Sequence, residues 1–268
     1  MAPVIGKCAL CLLDGQELRK SHLHAAGVYR ELRDPLEPNA DPITITADSA
    51  IMMSDQVQDY LLCQRCEDLL SKKGETWVLS QMRRADGQFN LRDKLIASTS
   101  AMGFPRIEVY SALTMRGVEV DKLLHFACSV LWRSAVHPWR LRKHQLRAVD
   151  LGPYEPTIRQ YLLGGTFPQS VFVWLSVIPP TPAEGGVVFP HGSKDDGYHK
   201  YLFTIPGLAF HVFIGQKVPP LHQQMSLNGP NEYIFYGDLV EEGVVRQLGP
   251  LAVRSTPRGK LAKSLAIA

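Results

Sequence analysis

Two pairs of cysteines in this chain have the spacing of metal ligands. Cys8 is paired with Cys11, and Cys63 with Cys66, with two residues between the members of each pair. This spacing lets both sulfurs of a pair reach one tetrahedral ion, and two pairs complete a closed four-cysteine zinc site. A thioredoxin-like redox motif is the alternative, but no strand–helix pattern of that kind surrounds either pair. The spacing therefore predicts one structural Zn²⁺ held by these four thiolates.

The elements expected around the cysteines follow the order of a treble-clef zinc finger. The first pair lies in a short knuckle, followed by a short strand over 17–21 and a short helix over 24–32. A β-branched run predicts a strand over 43–46. The apolar spacing after the second pair predicts a helix over 66–82, whose first turn carries the last ligand.

The rest of the chain predicts an α+β domain. Residues 121–134 are apolar nearly all round, which is typical of a helix buried in a core. A shorter helix is expected over 157–163. Strand-like runs between 171 and 236 are separated by Pro and Gly turn signals and predict a mixed sheet packed against the core helix. The change in composition near 75–104 predicts two domains, residues 1–84 and residues 85–268.

Composition limits the classes of protein that the chain can belong to. It has 268 residues, of which 45% are hydrophobic and 21% charged, and its formal net charge is +3, so it is not a polycation. No apolar run approaches the roughly 18 residues of a membrane span. The first residues lack the pattern of a signal peptide. Thiols paired for a metal together with no export signal predict a cytoplasmic protein that does not bind membranes.

Polar residues next to the cysteine pairs carry a family resemblance. Ser21-His22 follows the first pair, and the second pair stands in the segment Leu62-Cys63-Gln64-Arg65-Cys66-Glu67. The sequence here resembles the HNH endonucleases, treble-clef ββα-metal nucleases whose first motif is an acidic residue followed by His and whose last reads Leu-Cys-x-x-Cys-His. The resemblance covers about the first third of the chain.

The resemblance implies a metal-dependent nuclease acting on DNA. It assigns His22 as the general base that activates water, and it places Ser21 and Glu67 where the family binds a catalytic ion, here Mg²⁺ or Mn²⁺. The chain departs from the family at three places: Ser21 replaces an acidic residue, Glu67 replaces the last histidine, and Gln58 with Asp59 stand nearest to the missing middle asparagine.

A non-catalytic zinc module is the alternative function. His22 could then only pack against its surroundings, and Glu67 could only interact favourably with the dipole of the following helix. Either function predicts a polyanion or protein partner: DNA, or a protein bound through the C-terminal domain. The candidate nucleic-acid contacts are basic, and the alternative for each is an ordinary solvated face. They are Arg19, Lys20, Arg65, Arg140, Arg142 and Lys143.

Overall fold

The computed structural model describes residues 2–33, 41–45, 49–142, 144–146, 149–181, 184–237 and 254–265. The strands are β1 (Val4–Gly6), β2 (Gln16–His22), β3 (Ile43–Ile45), β4 (Ser49–Met52), β5 (Gln58–Cys63), β6 (Met102–Phe104), β7 (Ile107–Ser111), β8 (Arg140–Leu141), β9 (His144–Gln145), β10 (Val171–Val177), β11 (Val188–Asp195), β12 (Tyr198–Ile205), β13 (Leu208–Gly215), β14 (Tyr233–Gly237) and β15 (Thr256–Arg258). The α-helices are α1 (Ala26–Arg30), α2 (Gln64–Leu70), α3 (Thr76–Gln81), α4 (Asn90–Ile96), α5 (Val120–Val136), α6 (Glu155–Leu162), α7 (Pro220–Gln224) and α8 (Lys260–Leu265).

A small antiparallel sheet carries the cysteine pairs. Its strand order is β1-β2-β5. Leu18 on β2 lies opposite Cys63 on β5, and His22 lies opposite Gln58, with an irregularity in register between Arg19 and Lys20. Helix α2 begins at the residue after Cys63, so the second cysteine pair spans the junction of strand and helix.

The single helix expected over 66–82 is divided into three parts. A π-helical turn, Ser71–Glu75, separates α2 from α3. At Gly74 in this turn, an added Cβ would lie 2.9 Å from the carbonyl oxygen of Lys122 and 3.0 Å from the amide nitrogen of Phe126. Only glycine lets the turn approach the backbone of α5 this closely, and π-turns of this kind are common where a helix accommodates such a local demand.

A seven-stranded sheet forms the larger part of the molecule. Its order is β11-β12-β13-β10-β14-β7-β6, antiparallel except for the β10–β14 pair. Every residue of α5 from Leu123 to Ser134 is buried. The ring of Phe126 lies 6.2 Å from that of Phe203 and 5.5 Å from that of Phe210, so this helix packs on the sheet. The α+β class and the core helix are confirmed.

The largest cluster of buried apolar residues contains side chains from both predicted domains, residues 1–84 and 85–268. It includes Leu62 and Leu70 beside the cysteines, as well as Phe126 and Phe203 of the helix and large sheet. Strand β15, near the C-terminus, pairs in parallel with β4 in a third sheet. The boundary between residues 84 and 85 stays a prediction. Within the described residues, no helix is both long and apolar enough to cross a membrane.

Candidate metal centre and adjacent polar cavity

The four cysteines predicted as metal ligands converge on one point. The sulfurs of Cys8, Cys11, Cys63 and Cys66 all lie within 4.8 Å of one another. The sulfurs of Cys11 and Cys63 are 4.0 Å apart. Four thiolates at tetrahedral positions about 2.3 Å from a zinc ion stand roughly 3.8 Å from each other. The donor set and its spacing thus fit a four-coordinate metal ion such as Zn²⁺.

Local backbone structure brings the two pairs together. The knuckle at the first pair is closed by the amide of Cys8, which donates to the carbonyl of Leu13 over 3.0 Å, and by that of Leu12, which donates to the carbonyl of Cys8 over 2.9 Å. The amide of Cys63 donates to the sulfur of Cys8 over 3.4 Å. Leu12 has a φ of 61°, the left-handed conformation that turns the chain back toward β2.

The clustered thiols shift one another's pKa values. A hydrogen bond from the Cys66 side chain lowers the pKa of the Cys8 thiol to about 4, against the opposing effect of burial, and the amide of Cys63 lowers it further. The same bond and the resulting thiolate raise the pKa of Cys66. Burial raises the pKa of Cys11. Full ionisation of all four requires a positive charge between them, which a bound divalent ion supplies.

A polar cavity adjoins this centre and contains both predicted catalytic residues. Its volume is about 210 Å³, and its lining includes His22 from β2, Glu67 from α2, Glu75 from the π-turn and Arg133 from α5. The structure therefore brings His22 and Glu67 together, although they are far apart in sequence. The other lining residues are Ala25, Ala26, Asp68 and Ser71.

Ser21 connects the β-sheet to Glu67. This serine is fully buried. Its hydroxyl donates to Glu67 Oε1 in a short hydrogen bond, and it accepts a hydrogen bond of 3.2 Å from the amide of Leu62. The serine therefore holds the carboxylate of Glu67 beside the second cysteine pair.

Burial controls the charge states of the two predicted catalytic residues. It lowers the pKa of His22, while a hydrogen bond with Gln56 acts in the opposite direction. The imidazole is accordingly neutral at physiological pH and able to accept a proton. Burial also raises the pKa of Glu67, against the positive charge of Arg133 and the hydrogen bond from Ser21.

Glu75 and Arg133 were not predicted as site residues. The side chain of Arg133 is only 1% exposed, and its Nη1 forms a short ion pair with Glu75 Oε1. Its Nε is buried, and none of the residues that the structure describes forms a hydrogen bond with it. The signal that could have revealed the pair is the charge pattern, because Arg133 is the lone formally charged residue between Leu123 and Ser134. A charge in such a helix needs a partner from elsewhere in the fold.

The other residues near the motif have roles outside this cavity. Asp59 Oδ2 lies 2.9 Å from His137 Nε2, and Gln58 is exposed on β5 opposite His22. His24 is fully buried between Phe189 and Phe203, with ring centroids 5.5 and 5.9 Å away. Burial lowers its pKa to about 3. Neither Gln58 nor Asp59 is part of the cavity lining.

The predicted nucleic-acid contacts are exposed but spread over several elements. Arg19 forms an ion pair of 3.1 Å with Glu17, and Arg142 pairs with Asp55. Lys20 lies 6.0 Å from the centre of the Tyr60 ring. The remaining two described positions, Arg65 on α2 and Arg140 on β8, are exposed, while Lys143 lies outside the described residues. Their role in binding stays a prediction.

Among the described residues, the four cysteines are the one group of three or more His, Cys, Asp or Glu side chains close enough to hold a metal ion.

Comparison with protein-family models, with curated proteins and with solved structures finds no match to this chain.

Proposed function

We propose that the protein is a metal-dependent nuclease of the HNH type, in which a four-cysteine treble-clef zinc site supports a catalytic cavity. The observation that carries the proposal is the convergence of His22 and Glu67 on one cavity beside the cysteines. These are the two positions at which the resemblance places the general base and a metal ligand. The substrate would be DNA.

His22 would take the proton from the attacking water. A histidine held neutral by burial is suited to this task, because it can accept a proton at physiological pH without first losing one. Glu67 offers a carboxylate oxygen, the ligand type that Mg²⁺ and Mn²⁺ prefer. An ion held there would stabilise negative charge that develops on the phosphate and the leaving oxygen.

A DNA cleavage assay with added Mg²⁺ or Mn²⁺ tests the proposal. Wild type should cut, and His22→Ala should lose at least about 100-fold in rate, the lower range for removal of a general base. His199→Ala is the matched control, because His199 is a half-buried histidine on the large sheet, outside the cavity lining. Zinc content should be equal in all three proteins. Equal cleavage by wild type and His22→Ala would refute the assignment.

A non-catalytic zinc-stabilised binding module is the second candidate function. The observation that favours it is that both carboxylates of Glu67 and Glu75 already have partners in the cavity. Glu67 accepts a hydrogen bond from Ser21, and Glu75 forms an ion pair with Arg133. Carboxylates whose oxygens already have such partners would stabilise the fold and would not need to bind a further ion. This function predicts nucleic-acid or protein binding that is unchanged in His22→Ala, with no cleavage by zinc-loaded wild type in either metal. Nucleic-acid binding should weaken steeply with salt.

A further inference from the structure

A second, larger cavity lies beside the first and has no role in the function proposed above. Its volume is about 690 Å³, within the roughly 300–1,000 Å³ that is usual for small-molecule and cofactor sites. It lies between the α1 region, strand β3 and the segment 185–189 that leads into β11. We call it the α1–β3 groove. Its wall includes Ile43 and Ile45, which are 55% and 43% exposed.

Two arginines give this groove a positive charge. Arg30 at the end of α1 and Arg33 just after it both line the groove, and within the described part of the chain neither forms an ion pair. Among the described lining residues the acidic side chain is Asp55, which forms an ion pair with Arg142. An apolar wall beside unpaired guanidinium groups suits a ligand with a flat apolar part and a phosphate.

The groove is directly connected to the predicted general base. Gln56 lines the groove, and its side chain acts on His22, which lines the small cavity, by raising the pKa of that imidazole against the effect of burial. Tyr29 also lines the groove, and its ring centroid lies 6.2 Å from that of His22. If the scissile phosphate of a substrate lies at His22, the neighbouring part of the same substrate would therefore lie in the groove.

We propose that the α1–β3 groove binds one nucleotide unit of a single-stranded nucleic acid, next to the scissile phosphate. The inference rests on the nuclease function proposed above and specifies its substrate. The base would contact the apolar wall, and Arg30 and Arg33 would contact the adjoining phosphates. A nucleotide can enter a concave cavity of this size only when it is unpaired, because stacked bases in a duplex present their edges.

Fluorescence anisotropy with a labelled oligothymidylate, measured on the zinc-loaded full chain without added Mg²⁺ or Mn²⁺, tests this inference. Arg30→Gln/Arg33→Gln should weaken binding at least 10-fold and lower the slope of log affinity against log salt by about 1.4, for two lost phosphate contacts at about 0.7 each. The matched control is Arg84→Gln/Arg116→Gln, because both arginines are exposed and lie outside the groove lining and outside the predicted nucleic-acid contacts. It changes the net charge equally and should alter affinity less than twofold.

A charge-neutral variant keeps the test valid if the double variant does not fold. Thr44→Trp places a large side chain in the groove from β3 and should also weaken oligothymidylate binding at least 10-fold. Equal losses in the groove and control variants, or wild-type affinity in Thr44→Trp, would overturn the inference. The inference would also be overturned if the groove variants lost binding of a polyglutamate probe or of a blunt DNA duplex as strongly as binding of oligothymidylate. The first result would assign the surface to a protein partner, and the second to double-stranded DNA.

The two proposals fail separately. If wild type binds the oligonucleotide through the groove but cuts no DNA, the nuclease function is wrong and the groove assignment stands. If wild type cuts DNA and the groove variants bind and cut equally well, the groove assignment alone is wrong.

Discussion

The buried ion pair between Glu75 and Arg133 leads to a quantitative prediction about stability. The side chains are 11% and 1% exposed, so water screens the pair poorly. Arg133→Met keeps an unbranched apolar stem of similar length but removes the charge. It leaves the carboxylate of Glu75 buried without its partner, which costs about 3–5 kcal/mol of unfolding free energy. Glu75→Leu leaves the opposite charge unpaired and should cost a similar amount.

The double variant separates the cost of an unpaired charge from the loss of packing. Glu75→Leu/Arg133→Met contains neither buried charge, and replacing such a pair by apolar side chains is often neutral or stabilising. We therefore expect the double variant to be more stable than either single variant. The coupling free energy from the cycle should be about 3 kcal/mol or more, well above the additivity limit of roughly 0.5 kcal/mol.

Urea unfolding followed by tryptophan fluorescence measures this cycle. Trp132 is next to Arg133, and Trp139 Nε1 donates to the carbonyl of Arg133 over 2.7 Å, so the indoles report on this region. With a urea m-value of about 2–3 kcal/mol/M, a loss of about 4 kcal/mol moves the midpoint down by roughly 1.3–2 M. Additive single-variant effects, or a midpoint unchanged in Arg133→Met, would refute the reasoning.

Three further predictions concern zinc, pH and the π-turn. Cys66→Ser should abolish zinc binding and unfold the region around the small sheet. Cys128 is buried on α5 outside the four-cysteine cluster, so Cys128→Ala should keep one zinc per chain by elemental analysis. Equal zinc in both variants would contradict the metal assignment. Burial lowers the pKa of His125 to about 4, so the unfolded state binds the extra proton first. His125 alone should therefore lower the unfolding free energy by up to about 3 kcal/mol as pH drops from 6.5 to 4, and His125→Phe should make the pH dependence shallower by that contribution. Gly74→Ala should lower the unfolding free energy measured in urea by about 1–3 kcal/mol, because the added Cβ clashes with α5. Gly103→Ala is the control, since an added Cβ there meets nothing within 4 Å. Equal losses of stability in the two variants would contradict the prediction.

Local patterns in the sequence were sufficient to predict the parts of the fold that depend on local periodicity. The core helix expected over 121–134 spans Val120–Val136, and the helix expected over 157–163 spans Glu155–Leu162. The strand expected over 43–46 is described over Ile43–Ile45. The four cysteines were predictable because their spacing is itself the chemical requirement for a tetrahedral ion.

Features that depend on distant contacts could not be predicted in this way. The helix expected over 66–82 is interrupted because Gly74 meets the backbone of α5, which no periodicity in that segment encodes. Nothing near Arg133 in the sequence identifies its partner, because Glu75 lies 58 residues earlier. The pairing of β4 with β15 likewise joins residues 49–51 to residues 256–258, and no local sequence pattern predicts a contact over this separation.

The four-cysteine cluster and the polar cavity are held by the same elements, so a displacement at one is transmitted to the other. Cys66 and Glu67 are neighbours on α2, and any displacement of the cysteine backbone moves the carboxylate with it. Ser21 hydrogen-bonds both to Glu67 and to the backbone of β5 one residue before Cys63. The opposite wall comes from Arg133 on α5, inside the large core. Residues 1–84 alone therefore do not contain the whole cavity, and the larger α+β region is a structural part of the candidate site.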